Sequence, residues 1–356
     1  MADWTLSMTQ TFEFYTVDPE TWKDEKLLNN VISCSISRDY DADTLGSASF
    51  DVMDSLGECY IRAYLITIQN GVKEKHPLGT YLVQTPSSTF DGMSRDISMD
   101  AYTPLLELKE KQPPIGYYVP KQTDVMEQVY MLTRDKARAP LVTMPPNEEI
   151  SKDLDNDFVA NTEDTWLTFL IDLAAYAKFE FGLDEMGRIL FLPKQDTASL
   201  QPIWTYDDNN SSILYPEITL DHDLYGIPNV VEVVFSTANK SYYSKIVNDD
   251  PNSPISTVNR GREITHRVTE PDIAGDPSDE ELETYARQLL EDLSSIEYTI
   301  SYTHGYCPVR IGDCVRLNYE RAGITNVKAK VISQSIKCEP GCPVSEKAVF
   351  TVKLWG

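Results

Sequence analysis

The 356-residue chain is poor in basic residues and histidine, and it has no long apolar run. Only 31 Lys and Arg stand against 56 Asp and Glu, giving a formal net charge of −25 and an isoelectric point near 4.5. Proteins that hold a phosphate backbone neutralise it with Lys and Arg, so this balance argues against nucleic-acid binding as the main work of the chain. No apolar stretch approaches the roughly 18 residues of a membrane-spanning helix. The start, residues 1–14, lacks the basic segment and apolar stretch of a signal peptide, so synthesis and folding in a cytoplasm are expected. The four histidines, His76, His222, His266 and His304, fall in no HExxH or His-x3-His pattern, and surface or turn positions are expected for all of them. His222 lies between Asp221 and Asp223, a triplet that so acidic a chain produces by chance. There is no GxGxxG, no phosphate loop and no GxSxG.

Cysteine is sparse as well. Cys34, Cys59, Cys307, Cys314, Cys338 and Cys342 are expected to be small, reduced core residues. Cys307-x6-Cys314 and Cys338-x3-Cys342 depart from the CxxC knuckles of a zinc ribbon. Asp153, Asp155 and Asp157 open a run with Asp164 at its twelfth position. A calcium loop needs Gly at the sixth position, where Phe158 stands, and a bidentate Glu at the twelfth. The run is read as a solvated loop feeding a helix cap. No catalytic, cofactor-binding or metal-binding residue is assigned.

What the chain does have is β pattern. Its length suggests two or three domains, and 41% hydrophobic residues suffice for real cores. Alternating runs at 11–16, 31–38, 48–52, 61–68, 79–84 and 96–102 are separated by turn signals. Asn70-Gly71 and Asp91-Gly92 supply the positive φ of tight hairpins. Lys111-Gln112-Pro113-Pro114 breaks this pattern. Helices are expected over 124–136, capped by Thr123, and over 164–177, capped by Asn161 or Thr162, with Leu167, Leu170, Ile171 and Ala174 on one face. A hairpin follows at 179–183 and 188–192. After a return to β character at 203–220, residues 229–236 read as a strand buried on both faces and 242–264 as loop. Residues 278–293 read as a helix started by Pro277-Ser278, with early acids complementing its dipole. The tail is again β. Ser37-Arg38-Asp39 and Gly261-Arg262-Glu263 read as charge-paired turns. Residues 295–356 carry eight Lys and Arg against five acids, a net +3, which leaves −28 on the rest. That basic tail is expected to face protein partners.

Three stretches resemble the baseplate hub, or tail-tip hub, proteins of tailed phages and contractile injection machines. The run 56–106, with its two hairpin turns, Leu78-Gly79-Thr80-Tyr81-Leu82-Val83 and Thr103-Pro104-Leu105-Leu106, resembles the first barrel of a hub. Residues 165–193, with Ala174-Ala175-Tyr176-Ala177, Phe179-Glu180-Phe181 and Arg188-Ile189-Leu190-Phe191-Leu192-Pro193, resemble its inserted domain. Pro308-Val309-Arg310-Ile311-Gly312-Asp313, leading into a strand, is similar to the second barrel. The order is that of the family and spans almost the whole chain.

The resemblance implies a β-rich α+β fold with two similar tail-tube-like β-barrel modules and a helix-containing α+β insertion. The modules would be 1–107 plus 203–228, the insertion 108–202, and the second barrel 229–356 with helix 278–293. It implies a non-enzymatic homotrimer whose pseudo-sixfold ring joins the hexameric tail tube and distal tail proteins to threefold tip, spike or fibre proteins. DNA or the tape-measure protein would pass the lumen without stable binding, and no cofactor is implied. The location would be the virion tail tip, after assembly in the host cytoplasm. The other reading is a tail-associated cell-wall hydrolase or carbohydrate-binding module; the chain ends at Leu354-Trp355-Gly356 after its last strand, which is expected to leave no room for a lytic extension.

Overall fold

The computed structural model describes residues 2–142, 152–195, 199–209, 211–236, 240–269, 271 and 278–356. Strand makes up 47% and helix 15%, so the chain is β-rich α+β. It divides into two compact units, Met1–Ile218 with Tyr302–Ala348, and Thr219–Ser301 with Val349–Gly356.

In chain order the elements are β1 (Thr9–Val17), β2 (Asp24–Leu28), β3 (Val31–Asp39), β4 (Gly46–Val52), β5 (Tyr60–Gln69), β6 (Val72–Asp91), β7 (Ser94–Tyr102), α1 (Leu106–Lys109), β8 (Tyr118–Val119), α2 (Val125–Lys136), β9 (Phe158–Val159), α3 (Trp166–Tyr176), β10 (Phe179–Leu183) and β11 (Ile189–Pro193). There follow β12 (Trp204–Asp207), β13 (Leu214–His222), β14 (Val230–Ser236), β15 (Ser241–Val247), α4 (Thr257–Arg260), β16 (Thr265–Val268), α5 (Asp279–Leu293), β17 (Ser295–Gly305), β18 (Cys314–Tyr319), β19 (Ile324–Lys337) and β20 (Pro343–Lys353).

The first unit is organised by one large sheet. Its order is β13-β17-β20-β19-β3-β4-β7-β6-β5-β1-β2, with β18 beside β19 and β12 beside β18. The path is open at β13 and β2, and no closed sheet is found among the described residues. Hairpin chemistry sets the local pairing. Asn70 and Gly71 both take left-handed φ, 51° and 78°, as a two-residue turn between twisted strands requires. Gly46 opens β4 with φ 137°, and a Cβ there would lie 2.2 Å from the Ser37 carbonyl oxygen. Period-2 alternation then puts Ile36, Phe50, Val52, Ile61, Leu65, Met99, Ala101 and Ile336 into one core. Each of the larger side chains contributes about 1.5–3 kcal/mol on burial.

A second core belongs to the helical segment. Val125, Val129 and Leu132 of α2 meet Leu167, Leu170, Leu173 and Ala174 of α3 over Phe179, Phe181 and Phe191 of the β10–β11 hairpin. The caps differ from those expected: Asp124 rather than Thr123 caps α2, and Thr165 rather than Asn161 or Thr162 caps α3. The Asp124 carboxylate accepts from Glu127 N at 2.8 Å, and Thr165 shares a reciprocal capping box with Thr168. These residues are extended and adjacent to the helix, which lets a side-chain oxygen reach the free N–H groups. Of the Pro- and acid-rich loop expected at 139–157, residues 143–151 lie outside those described.

In the second unit β14 is flanked by β15 and, in parallel, by β16. Val231, Val233, Tyr242 and Ile246 pack on Leu282, Ala286 and Leu290 of α5. Helix α5 is capped by Ser278 and Glu281; Pro277 lies outside the described residues. The expected loop over 242–264 is corrected. Tyr242 and Ile246 alternate inward on β15, and after Asn248 the chain buries Ser253, Ile255 and Ser256 before entering α4.

Candidate functional site

Strand β6 outruns its neighbours. Strand β5 pairs with it from Gln69↔Val72 to Tyr60↔Leu82, and β7 from Leu82↔Tyr102 to Asp91↔Ser94. On the far side β4 supports β7 only between Ile97 and Tyr102. Past Ile97 the two strands have only each other among the described residues. The ribbon turns at Gly92, φ 56°, and ends on Phe90 and Met93, 71% and 104% exposed. The Arg95 guanidinium lies 5.4 Å from the Phe90 ring centroid. A lone two-stranded ribbon is marginal in water, and its edges carry backbone groups that can pair with another chain. Pro86 removes one donor from such an edge. Large apolar side chains on the end of a ribbon make a contact surface, not a core.

The β10–β11 hairpin is bolted to the sheet beside a cavity of about 350 Å³. The Met186 carbonyl accepts from Trp22 Nε1 at 2.7 Å and Arg62 Nη2 at 3.1 Å. Gly187, φ 73°, comes so near that a Cβ would sit 2.7 Å from Thr80 Cβ. Leu45, Leu78, Leu190 and Ile311 form apolar parts of the cavity wall. Its cations are matched by acids: Arg310 Nε is 2.5 Å from Glu185, Arg38 Nη2 is 4.0 Å from Glu185, and Lys330 Nζ is 4.0 Å from Glu180. Glu180 also accepts from the Tyr40 hydroxyl, and burial together with that bond raises the Tyr40 pKa. Among the described residues the wall thus offers an anionic ligand no unmatched cation. Arg38, read above as part of a turn, is a strand residue that donates to Gln334 Oε1 at 3.0 Å and to the Leu78 carbonyl at 2.7 Å.

His304 corrects the expectation of surface histidines. His304 and Glu346 are both 0% exposed, with Nε2 3.3 Å from the Glu346 carboxylate. Nδ1 is 2.7 Å from the Gly305 carbonyl. Both ring nitrogens therefore face acceptor oxygens, which suits an imidazolium. Burial alone would lower the His304 pKa; bonds to Cys307 and Glu346 and the Glu346 charge overcome this and raise it to about 10. Tyr302 and Gln334 donate to the same carboxylate, and the Tyr206 hydroxyl lies 3.1 Å from His304 Nε2 and 3.3 Å from Cys307 Sγ. This buried network links β17, β19 and β20.

No family model matches the sequence, and no curated protein matches it. Solved structures do match. The tail protein from Neisseria meningitidis MC58 aligns over 96% of this chain and 97% of its own, with TM-score 0.62 at 12% identity. The 43 kDa tail protein of prophage MuSo2 from Shewanella oneidensis aligns over 97% and 99%, with TM-score 0.60 at 11% identity. The fold is shared with tail proteins. At such identities the likeness is one of fold.

The remaining residues singled out in the sequence do not converge. Among the described residues no three His, Cys, Asp or Glu side chains are placed to hold a metal ion. Asp153 bridges Asp124 by backbone, Asp155 accepts from the Tyr176 hydroxyl at 2.5 Å, and Asp157 accepts from Lys121 N at 2.8 Å. His76 lies 3.1 Å from Thr67 Oγ1, and His222 stacks on Tyr298 with centroids 4.5 Å apart. Sequence reasoning missed the His304 network, although its signal was present. Ile300, Tyr302 and His304 alternate along one strand, and Val344, Glu346 and Ala348 along another, so both polar groups occupy inward positions.

Proposed function

We propose that this chain is a structural subunit of a phage tail, a baseplate or tail-tip hub with no catalytic role. The supporting observation is the fold shared with two tail proteins across nearly the full length of all three chains. In this reading three copies close a ring. Residues 1–107 with 203–228, and residues 229–356, supply two barrel-like modules per copy, and 108–202 form an inserted domain. Six similar modules let a threefold assembly meet a hexameric tail tube on one side and threefold tip, spike or fibre proteins on the other. The β6–β7 ribbon reaches a neighbouring subunit, covering Phe90 and Met93 and pairing an open edge. An acidic lumen lets DNA or the tape-measure protein pass without being held. The place of work is the virion tail tip, after assembly in the host cytoplasm.

Light scattering on the purified chain at micromolar concentration tests the ring. The expected mass is three times 40.3 kDa; a stable monomer overturns the trimer. A zymogram on host peptidoglycan is expected to stay blank, whereas clearing would place the chain among tail-associated cell-wall hydrolases.

A further inference from the structure

All six cysteines are free thiols, and four have no thiol facing them across a strand pair. Cys59 begins near β5, and burial raises its pKa. Cys314 lies 3.8 Å from the Val315 carbonyl. Cys307 belongs to the Tyr206–His304 network. Cys342 is buried in the turn that follows β19, its N–H bonded to the Glu339 carbonyl at 2.8 Å. Cys34 and Cys338 differ. The β19–β3 register runs Ser335↔Ser37, Ile336↔Ile36, Lys337↔Ser35. One more step sets Cys338 opposite Cys34, and the Cys338 N–H donates to the Cys34 carbonyl at 2.9 Å. Both side chains pack against the same core as Ile36 and Ile336.

We propose that Cys34 and Cys338 are a reversible cross-strand disulfide site, oxidised by exchange with a small soluble disulfide such as oxidised glutathione. Directly opposed, hydrogen-bonded residues of antiparallel strands have Cα atoms about 5.5 Å apart, inside the roughly 4.4–6.8 Å that a disulfide spans. Cys338 is half-buried and Cys34 buried, so exchange begins at Cys338. Its thiolate attacks one sulfur of oxidised glutathione and releases a glutathione thiolate. The Cys34 thiolate then attacks the Cys338 sulfur of the mixed disulfide and releases the second glutathione. The protein gives up two protons and two electrons, and one glutathione disulfide becomes two thiols. A hydrogen bond donated by the Cys338 S–H to Cys34, together with burial, holds the pKa of Cys338 well above its ordinary value. Little thiolate is present at neutral pH, so oxidation is slow there and quickens with alkali. The bond pins the end of β19, where the strand gives way to the Cys342 turn, onto β3.

The test incubates the full chain with oxidised glutathione, removes excess reagent, and counts thiols after denaturation in parallel with intact mass. The expected result is loss of two of the six thiols, a mass fall of about 2 Da for two hydrogens, and full recovery with dithiothreitol. Cys342→Ser loses the same two thiols. Cys34→Ser and Cys338→Ser form no internal disulfide, their fold being checked by circular dichroism. Retention of all six thiols in the native chain overturns the site. So does an internal bond that survives Cys34→Ser, which would assign the chemistry to Cys338 and Cys342.

Discussion

Arg62 Nη1 lies 2.7 Å from Asp24 Oδ1, with the arginine side chain 1% exposed. The same guanidinium donates to Thr80 Oγ1 at 2.8 Å and to the Met186 carbonyl at 3.1 Å. One side chain on β5 thereby ties together a surface strand, the next strand of the sheet and the turn of the inserted hairpin. Asp24 also accepts from the Tyr64 hydroxyl at 2.8 Å; burial and that bond push the Tyr64 pKa up to about 12.

Arg62→Ala is expected to destabilise the fold by about 3 kcal/mol, because it removes the charge partner of Asp24, the Arg62 donor to the Trp22 carbonyl and one of the two donors to the Met186 carbonyl. Asp24→Asn costs less, since Asp24 is partly open to water and the amide still accepts. Urea unfolding of the three proteins checks the order; an Arg62→Ala midpoint equal to wild type would remove the bolt from the account.

Stability should fall with alkali through one buried group. The folded-state pKa of His304 is raised, so its stabilising effect is complete below the unfolded value near 6.5 and is lost as pH rises through about 10. Between pH 7 and 10 the wild type is expected to lose on the order of a few kcal/mol that His304→Gln, weaker at pH 7, does not lose. Parallel unfolding curves at the two pH values for both proteins are the measurement. Equal losses would show that the ring is neutral in the folded state.

Phe90→Ser combined with Met93→Ser is expected to change monomer stability by no more than about 0.5 kcal/mol, as for other exposed positions, while shifting the mass in solution from trimer towards monomer. An unchanged trimer would free the ribbon for a different neighbour.

The purified chain is expected to leave duplex DNA unshifted on a gel at physiological salt, in keeping with its net charge of −25. Tight binding with a steep salt dependence would replace the channel reading with a nucleic-acid partner.

Much of this architecture was legible where a residue's local chemistry decides its conformation. Asn70-Gly71 announced its hairpin, and the apolar spacing of Leu282, Ala286, Leu289 and Leu290 announced α5. Legibility failed where context decides. Strand β6 was read as the short run 79–84 because Lys73, Glu74, Lys75 and His76 look like loop and Pro86 like a break. Pairing to β5 and β7 carries the strand through both. Strand β15 hid behind Asn248, Asp249 and Asp250. The pairing of β19 with β3 joins segments almost the whole chain apart, and no local pattern encodes that. His304 was taken for a surface residue because its partner, Glu346, lies 42 positions away.

The Met186 contact also has a mechanical meaning. A load applied to the β10–β11 turn enters the sheet through Arg62, on β5. That strand is flanked by β1 and β6, unlike the edge strand β2. An edge strand can be peeled one hydrogen bond at a time, but an interior strand leaves only when two ladders shear together. Force on the insertion is therefore spread across three strands, and the turn, though it is only a few residues long, behaves as an anchor point.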